Sequence, residues 1–134
     1  MEVNRLIIDT SAYVRLGHGN TDIRDALDAA VRVYMSVIVL GELHSGFRGG
    51  SRKQEKLEDL SRFLAKARVE TLSVTDETAS VYGSMKTDLK RRGSDIPSND
   101  IWLAAQAMEN GAVLVTYDRH FDRVPGLRRW PEFL

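Results

Sequence analysis

Arg5-Leu6-Ile7-Ile8-Asp9 is a run of strand length, apolar and β-branched, that ends abruptly in a carboxylate. Consecutive rather than alternating apolar residues predict a strand buried on both faces. Asp9, Thr10 and Ser11 each suit the cap of a helix that follows. Outward from this run, residues 21–32 place Ile23, Ala26, Leu27, Ala30 and Val31 at helical spacing. Residues 33–37 predict a second strand, and 38–47 a short helix stopped by Gly49-Gly50. Ser51 is the expected cap of a long amphipathic helix whose buried stripe is Leu57, Leu60, Phe63, Leu64 and Ala67. Residues 69–74 predict a third strand. Thr75, with Asp76 and Glu77 in the first turn, opens a helix that ends near Gly93. Ile96-Pro97-Ser98 is a break before a helix over 99–110, stopped by Gly111. Residues 112–116 predict a fourth strand, and the tail from Leu127 offers a short edge strand. Strands that alternate with helices predict an α/β fold: a central, mostly parallel sheet of four to five strands between two layers of helices. Ligands of such sheets bind beyond the carboxyl ends of the strands.

A length of 134 residues suits a single domain spanning 1–134. Hydrophobic residues at 43% and charged residues at 28% argue against disordered and fibrous classes. With no cysteine, disulfide frameworks and thiolate chemistry are excluded. The opening Met1-Glu2-Val3-Asn4-Arg5 lacks the apolar core of a signal peptide, and no apolar run approaches the roughly 20 residues that span a bilayer. A cytoplasmic protein with no membrane partner is expected. Lys and Arg number 19, as do Asp and Glu, so the chain lacks the basic excess of a simple nucleic-acid binder. The cations gather at Arg48, Arg52 and Lys53, at Lys86, Lys90, Arg91 and Arg92, and at Arg119, Arg123, Arg128 and Arg129. Any one group taken alone reads as a solvated face.

Most acids have local reasons to exist. Glu58 precedes Arg62 by four residues, Asp88 precedes Arg92 by four, and Asp28 lies four from both Arg24 and Arg32. Four acids fit less well. Asp9 ends the first strand. Glu42 interrupts the apolar Val37-Ile38-Val39-Leu40-Gly41-Glu42-Leu43. Asp100 precedes Ile101-Trp102-Leu103-Ala104-Ala105, and Asp118 follows the fourth strand. An ionised carboxylate in apolar surroundings is costly unless it is paired or binds a metal. Carboxylates that share a site raise each other's pKa, and a divalent cation removes both penalties. Taken singly, Asp9 reads as a helix cap, Asp100 as a complement to its helix dipole and Asp118 as a turn residue. In a doubly wound sheet all four can meet at one edge.

Four stretches also resemble the motifs of a known family. Leu6-Ile7-Ile8-Asp9-Thr10-Ser11 resembles the opening motif of PIN-domain nucleases. Val39-Leu40-Gly41-Glu42-Leu43-His44-Ser45-Gly46 resembles their Glu-Leu-x-x-Gly helix. Ile96-Pro97-Ser98-Asn99-Asp100-Ile101-Trp102-Leu103-Ala104-Ala105 resembles their Asn-Asp-x-x-Ile-Ala-Ala helix, with Leu103 in the Ile place. Thr116-Tyr117-Asp118-Arg119-His120-Phe121, running on to Gly126-Leu127, resembles the closing motif in the His-Phe register of the VapC toxin branch. The motifs stand in family order and span nearly the whole chain. The resemblance implies a PIN-like three-layer α/β/α fold, with Asp9, Glu42, Asp100 and Asp118 as the acidic site. It implies Mg²⁺ or Mn²⁺, hydrolysis of an RNA substrate, a homodimer, and inhibition by a cognate VapB-like antitoxin. Within it, Asp9 and Asp100 are expected as direct metal ligands. Glu42 acts through water or orients the attacking water, and Asp118 holds a second metal or stands behind the first. His44 and His120 are expected as structural or phosphate-facing, and Ser98 as a helix cap. Arg48, Arg52, Arg119 and Arg123 are candidate phosphate contacts. Tyr13, Phe47, Tyr82 and Trp102 are candidates for the core, a dimer surface or an antitoxin groove. Rival readings are an RNA-processing PIN nuclease outside toxin systems and a catalytically silent PIN-like module that binds RNA or a partner. A phosphoacceptor receiver domain fits less well, because the first strand carries only Asp9 and no Lys follows the fourth.

Overall fold

Burial of consecutive apolar residues organises the chain around its first strand. In the computed structural model, which describes residues 5–132, β1 (Arg5–Ile8) has Leu6, Ile7 and Ile8 essentially without solvent exposure. It is flanked by β2 (Arg32–Ser36) on one side and β4 (Val113–Val115) on the other, both parallel to it. Beyond β2 lies β3 (Val69–Leu72), and beyond β4 lies β5 (Arg129–Trp130), giving a five-stranded parallel sheet in the order β3-β2-β1-β4-β5. The expected edge strand from Leu127 is therefore present as β5; residues 1–4 and 133–134 lie outside the described residues. Six helices flank the sheet: α1 (Thr10–Gly17), α2 (Thr21–Ala29), α3 (Val37–Gly49), α4 (Lys53–Leu64), α5 (Asp76–Arg91) and α6 (Ser98–Glu109). None is long and apolar enough to cross a membrane.

The strand order reverses between β1 and β4. Crossovers from β1 run outward to β2 and β3, while β4 and β5 lie on the opposite side. The carboxyl ends of β1 and β4 thus sit side by side at the switch point, where such sheets open a crevice. Asp9 follows β1 directly and its N–H donates to the Val115 carbonyl at 3.1 Å.

Several helix ends differ from their sequence expectation. The helix expected over 21–32 stops at Ala29, and Val31 is 68% exposed rather than part of its apolar face. The cause is remote: the Arg68 guanidinium, some forty residues on, donates to the carbonyls of Leu27, Asp28 and Ala30 and so terminates the helix. Ser51 does not cap α4. Arg52 takes that place in the left-handed region at φ 61°, with its side chain turned to Glu55 instead. Ala67, expected in the α4 stripe, lies past the helix end and is exposed. Ser98 does not cap α6 either; Pro97 is in the cap position, and the Ser98 hydroxyl bonds the Tyr82 phenol. Thr75 does cap α5, in a reciprocal pair with Thr78. On exposed α4, Arg62 pairs with Asp59 rather than Glu58.

Ile7 lies at the centre of the sheet and Val31 in water, so their truncations separate core from surface. Ile7→Ala should lose about 2–5 kcal/mol of stability and Val31→Ala less than about 0.5 kcal/mol, read as midpoint shifts in urea at constant slope.

Candidate active site

The first backbone turn after β1 shapes the site. Asp9 adopts extended geometry, and its Oδ1 accepts the Ala12 N–H at 2.8 Å, so it caps α1. The capping expectation therefore holds, and it is compatible with a functional role because one oxygen suffices for the cap. The Asp9 carboxylate also receives a hydrogen bond from the Thr116 hydroxyl. Thr116 is fully buried at the end of β4, and its hydroxyl accepts the Asp118 N–H at 3.0 Å. One side chain therefore ties the two carboxylate-bearing turns together. Asp118 in turn accepts the His120 N–H at 3.1 Å and opens the 3₁₀ turn Arg119–Arg123.

Asp100 reaches the site from the first turn of α6. Its Oδ2 lies 2.5 Å from His120 Nε2, and His120 Nδ1 lies 3.0 Å from Asp118 Oδ1. Both ring nitrogens of His120 thus face carboxylates, and both can donate only when the ring is protonated. Glu42 projects from α3, where its Oε1 accepts from the Thr10 hydroxyl at 2.8 Å. Ser36, buried at the end of β2, caps α3 by accepting the Ile38 N–H at 3.1 Å and bonds the buried Gln106 of α6. This side-chain bond links the α3 and α6 arms that carry Glu42 and Asp100.

The electrostatics show the crowding. The Asp9 carboxyl is raised above the ordinary carboxylate range by burial first. The Thr116 and Ala12 hydrogen bonds partly oppose this, and the negative charges of Asp100 and Asp118 add to it. Asp100 is raised as well, chiefly by burial; His120 opposes the shift, and Asp118 and Glu42 reinforce it. Asp118 therefore adds like charge to both Asp9 and Asp100, and Glu42 adds it to Asp100.

The structure corrects part of the reasoning about these acids. Glu42 is exposed, not embedded in apolar surroundings. Helix α3 buries Val39, Leu43 and Phe47, one residue per turn, and leaves Glu42 on its flank. Asp118 is also exposed, whereas Asp9 is buried. His120, expected as structural or phosphate-facing, bridges two of the acids. Its signal was the Asp118-x-His120 spacing, which a 3₁₀ turn converts into contact. Of the cations proposed for phosphate, Arg52 is paired with Glu55 and Arg123 donates to the Asp95 carbonyl at 2.9 Å.

The donor set suits a hard divalent cation. Single ligand atoms from Asp100, Asp118 and His120 lie within 4.8 Å of one another, and the Asp9 carboxylate adjoins them through Thr116. Carboxylates raised by burial and by neighbouring like charge, as Asp9 and Asp100 are, are the groups that Mg²⁺ or Mn²⁺ would relieve.

Comparison with known proteins gives the family of the chain and the fold it shares. The PIN domain family model matches residues 6–127. Ribonuclease VapC2 of Rickettsia felis is 32% identical over 96 residues, covering 71% of this chain and 70% of its own length. Ribonuclease VapC4 of Mycobacterium tuberculosis is 27% identical over 125 residues, 93% of this chain and 95% of its own. Among solved structures, VapBC2 of Rickettsia felis, bound to a DNA fragment from its promoter, superposes with a TM-score of 0.83 at 26% identity, covering 93% of this chain and 96% of that one. DNA-bound VapBC of Salmonella typhimurium gives 0.82 at 26% identity, with 95% and 96% covered.

A carboxyl with a raised folded-state pKa takes up a proton on folding. The stability it contributes is complete below the unfolded pKa and is lost as pH rises through the folded one. The metal-free protein should therefore lose stability as the solution moves from acid towards neutral through the Asp9 and Asp100 titrations. Asp9→Asn, which keeps the cap, should raise the melting temperature of the metal-free protein at neutral pH. It should also blunt the rise that Mn²⁺ produces in the parent chain. Melting curves with EDTA and with Mn²⁺, at acid and neutral pH, check both signs.

Proposed function

The chain belongs to the PIN domain family, in its VapC branch, and from that premise we propose that it is a divalent-metal-dependent endoribonuclease acting as the toxin of a toxin–antitoxin pair. One observation carries the proposal: at the switch point of the sheet Asp9 and Asp100, from two separate segments, are both raised in proton affinity, chiefly by burial, with Asp118 adding like charge to both and Glu42 to Asp100.

Asp9 and Asp100 would hold the ion, Mg²⁺ or Mn²⁺, with Asp118 beside them and Glu42 reaching it through water. When bound, the ion supplies Lewis-acid stabilisation of a phosphodiester oxygen and makes water a better nucleophile. The chain's residues supply the arrangement. The Asp9 cap and the Thr116 hydroxyl fix one carboxylate. The Thr10 hydroxyl donates to one oxygen of Glu42 and leaves the other to align the attacking water. His120 keeps Asp100 and Asp118 close together and offers a proton at Nε2 or Nδ1. Because water attacks, the ribose 2′-hydroxyl is not needed as nucleophile, and preference for RNA rests on contacts to that hydroxyl and on groove shape.

A groove of about 380 Å³ between α1, α3 and α4 runs up to Thr10 and Glu42. Its walls include Tyr13, Val14, Leu43 and Phe47, with Arg52, Glu55, Lys56 and Asp59 also lining it. The two VapBC structures named above pair toxin with antitoxin, and this groove has the apolar floor and charged rim that a folded-on-binding segment of a VapB-like antitoxin requires. We extend the proposal to a homodimer, as the family resemblance implies, and to the cytoplasmic setting expected from the sequence.

The test is cleavage of a labelled RNA panel by antitoxin-free protein. Cutting with Mg²⁺ or Mn²⁺ is expected to stop in EDTA. In Asp100→Asn it should fall by more than the roughly 100-fold typical of a metal's outer partners. Cutting that persists in EDTA and in Asp100→Asn would sink the acidic-site reading.

A further inference from the structure

An acidic centre repels the phosphates it must cut, so cations have to flank it. Two of the four arginines with sequence positions suited to that task are engaged elsewhere, Arg52 with Glu55 and Arg123 with the Asp95 carbonyl. Arg15, near the end of α1, is placed differently. Its guanidinium carbon lies 4.1 Å from the centroid of the Tyr117 ring. Tyr117 sits between Thr116, whose hydroxyl serves Asp9, and Asp118. Trp130 on β5 braces the same ring edge-on at 6.2 Å, and its carbonyl accepts the Thr116 N–H at 3.0 Å. Among the described residues Arg15 has no carboxylate partner, and it is exposed. A guanidinium held over an aromatic ring is fixed in place without using its N–H groups on a carboxylate, which leaves them to take a phosphate, by two parallel hydrogen bonds where the geometry allows.

We propose that Arg15, oriented by Tyr117, binds a backbone phosphate of the RNA strand beside the one that is cut. The inference rests on the nuclease reading above and names a substrate contact for it. Arg15 touches substrate; Tyr117 is a positioning residue that acts through Arg15, and Trp130 keeps the Tyr117 ring in place. A base-specific role is not required, because the contact is to phosphate.

Two measurements test it. Steady-state cleavage with Mn²⁺ separates kcat from KM. Fluorescence anisotropy of a labelled single-stranded RNA, on the uncut Asp100→Asn background across a KCl series, gives affinity without chemistry. Arg15→Gln should raise KM and Kd about tenfold with kcat little changed. It should also lower the slope of log Kd against log salt by about 0.7, the value for one phosphate on a single strand. Arg15→Lys should fall between, since it keeps the charge and loses the flat fork. Tyr117→Phe should match the parent chain, and Tyr117→Leu should reproduce part of the Arg15→Gln defect. Unchanged KM, Kd and salt slope in a folded Arg15→Gln protein would overturn the inference, as would a loss confined to kcat. If the parent chain cuts no RNA but Arg15→Gln still weakens binding and flattens the slope, the nuclease reading fails and the phosphate contact stands. If the parent chain neither cuts nor binds RNA, both fall.

Discussion

The burial of a carboxylate at the end of β1, with further acids close enough to add like charge, is the constraint around which the rest of the molecule is arranged. Asp9 is buried, and burial alone disfavours its charge; Asp100 and Asp118 add like charge from two further directions. A fold that only needed to be stable would place an apolar or amide side chain there. This one keeps the acids and surrounds them with groups that moderate the cost: the Ala12 N–H, the Thr116 hydroxyl and the His120 ring. Such strain is expected where a site awaits a cation, since binding converts the repulsion into affinity.

The scaffold makes this tolerable by rigidity rather than by local compensation alone. β1 is flanked on both sides within the sheet, and Leu6, Ile7, Ile8, Leu114 and Val115 are packed to near-zero exposure beneath the acids. Thr116 connects the two central strands through its hydroxyl, while the Ser36–Gln106 bond ties the start of α3 to α6. Three of the four acids leave from the ends or first turns of elements whose backbones are paired. The fourth, Glu42, stands on the exposed flank of α3 and depends on Thr10 for its direction. Positioning on helices and strands, with hydroxyls as braces, is how a site keeps its geometry before any ligand arrives.

The surroundings divide by charge and polarity in a way that suits two different macromolecules. On the α1, α3 and α4 side, an apolar groove with a charged rim approaches Glu42. On the β4 and β5 side, Tyr117 and Trp130 present an aromatic ledge carrying Arg15. A zero net charge is compatible with both, because local placement of cations, not their excess, governs contact with a polyanion at a single site.

Much of this was legible in the linear chain. Strand–helix alternation follows from local periodicity, so the parallel three-layer architecture could be read directly, as could the Thr75 cap and the edge strand near Leu127. The four acids stood out because Glu42, Asp100 and Asp118 had no cation at helical spacing and Asp9 ends a strand, where that spacing does not bring residues together. What the sequence could not carry was anything set by residues far apart. Arg68 ends α2 from some forty residues away; Arg52 rather than Ser51 begins α4. The exposure of Glu42 depends on which face of α3 meets the sheet. The bridge from His120 to Asp100, and the pairing of Arg15 with Tyr117, join segments about twenty and a hundred residues apart. Short-range pattern determined the elements and nominated the acids, because backbone preference and helical spacing are local. Tertiary structure alone decided their exposure, their protonation and their partners, because burial and Coulomb interactions depend on distance in space and not along the chain.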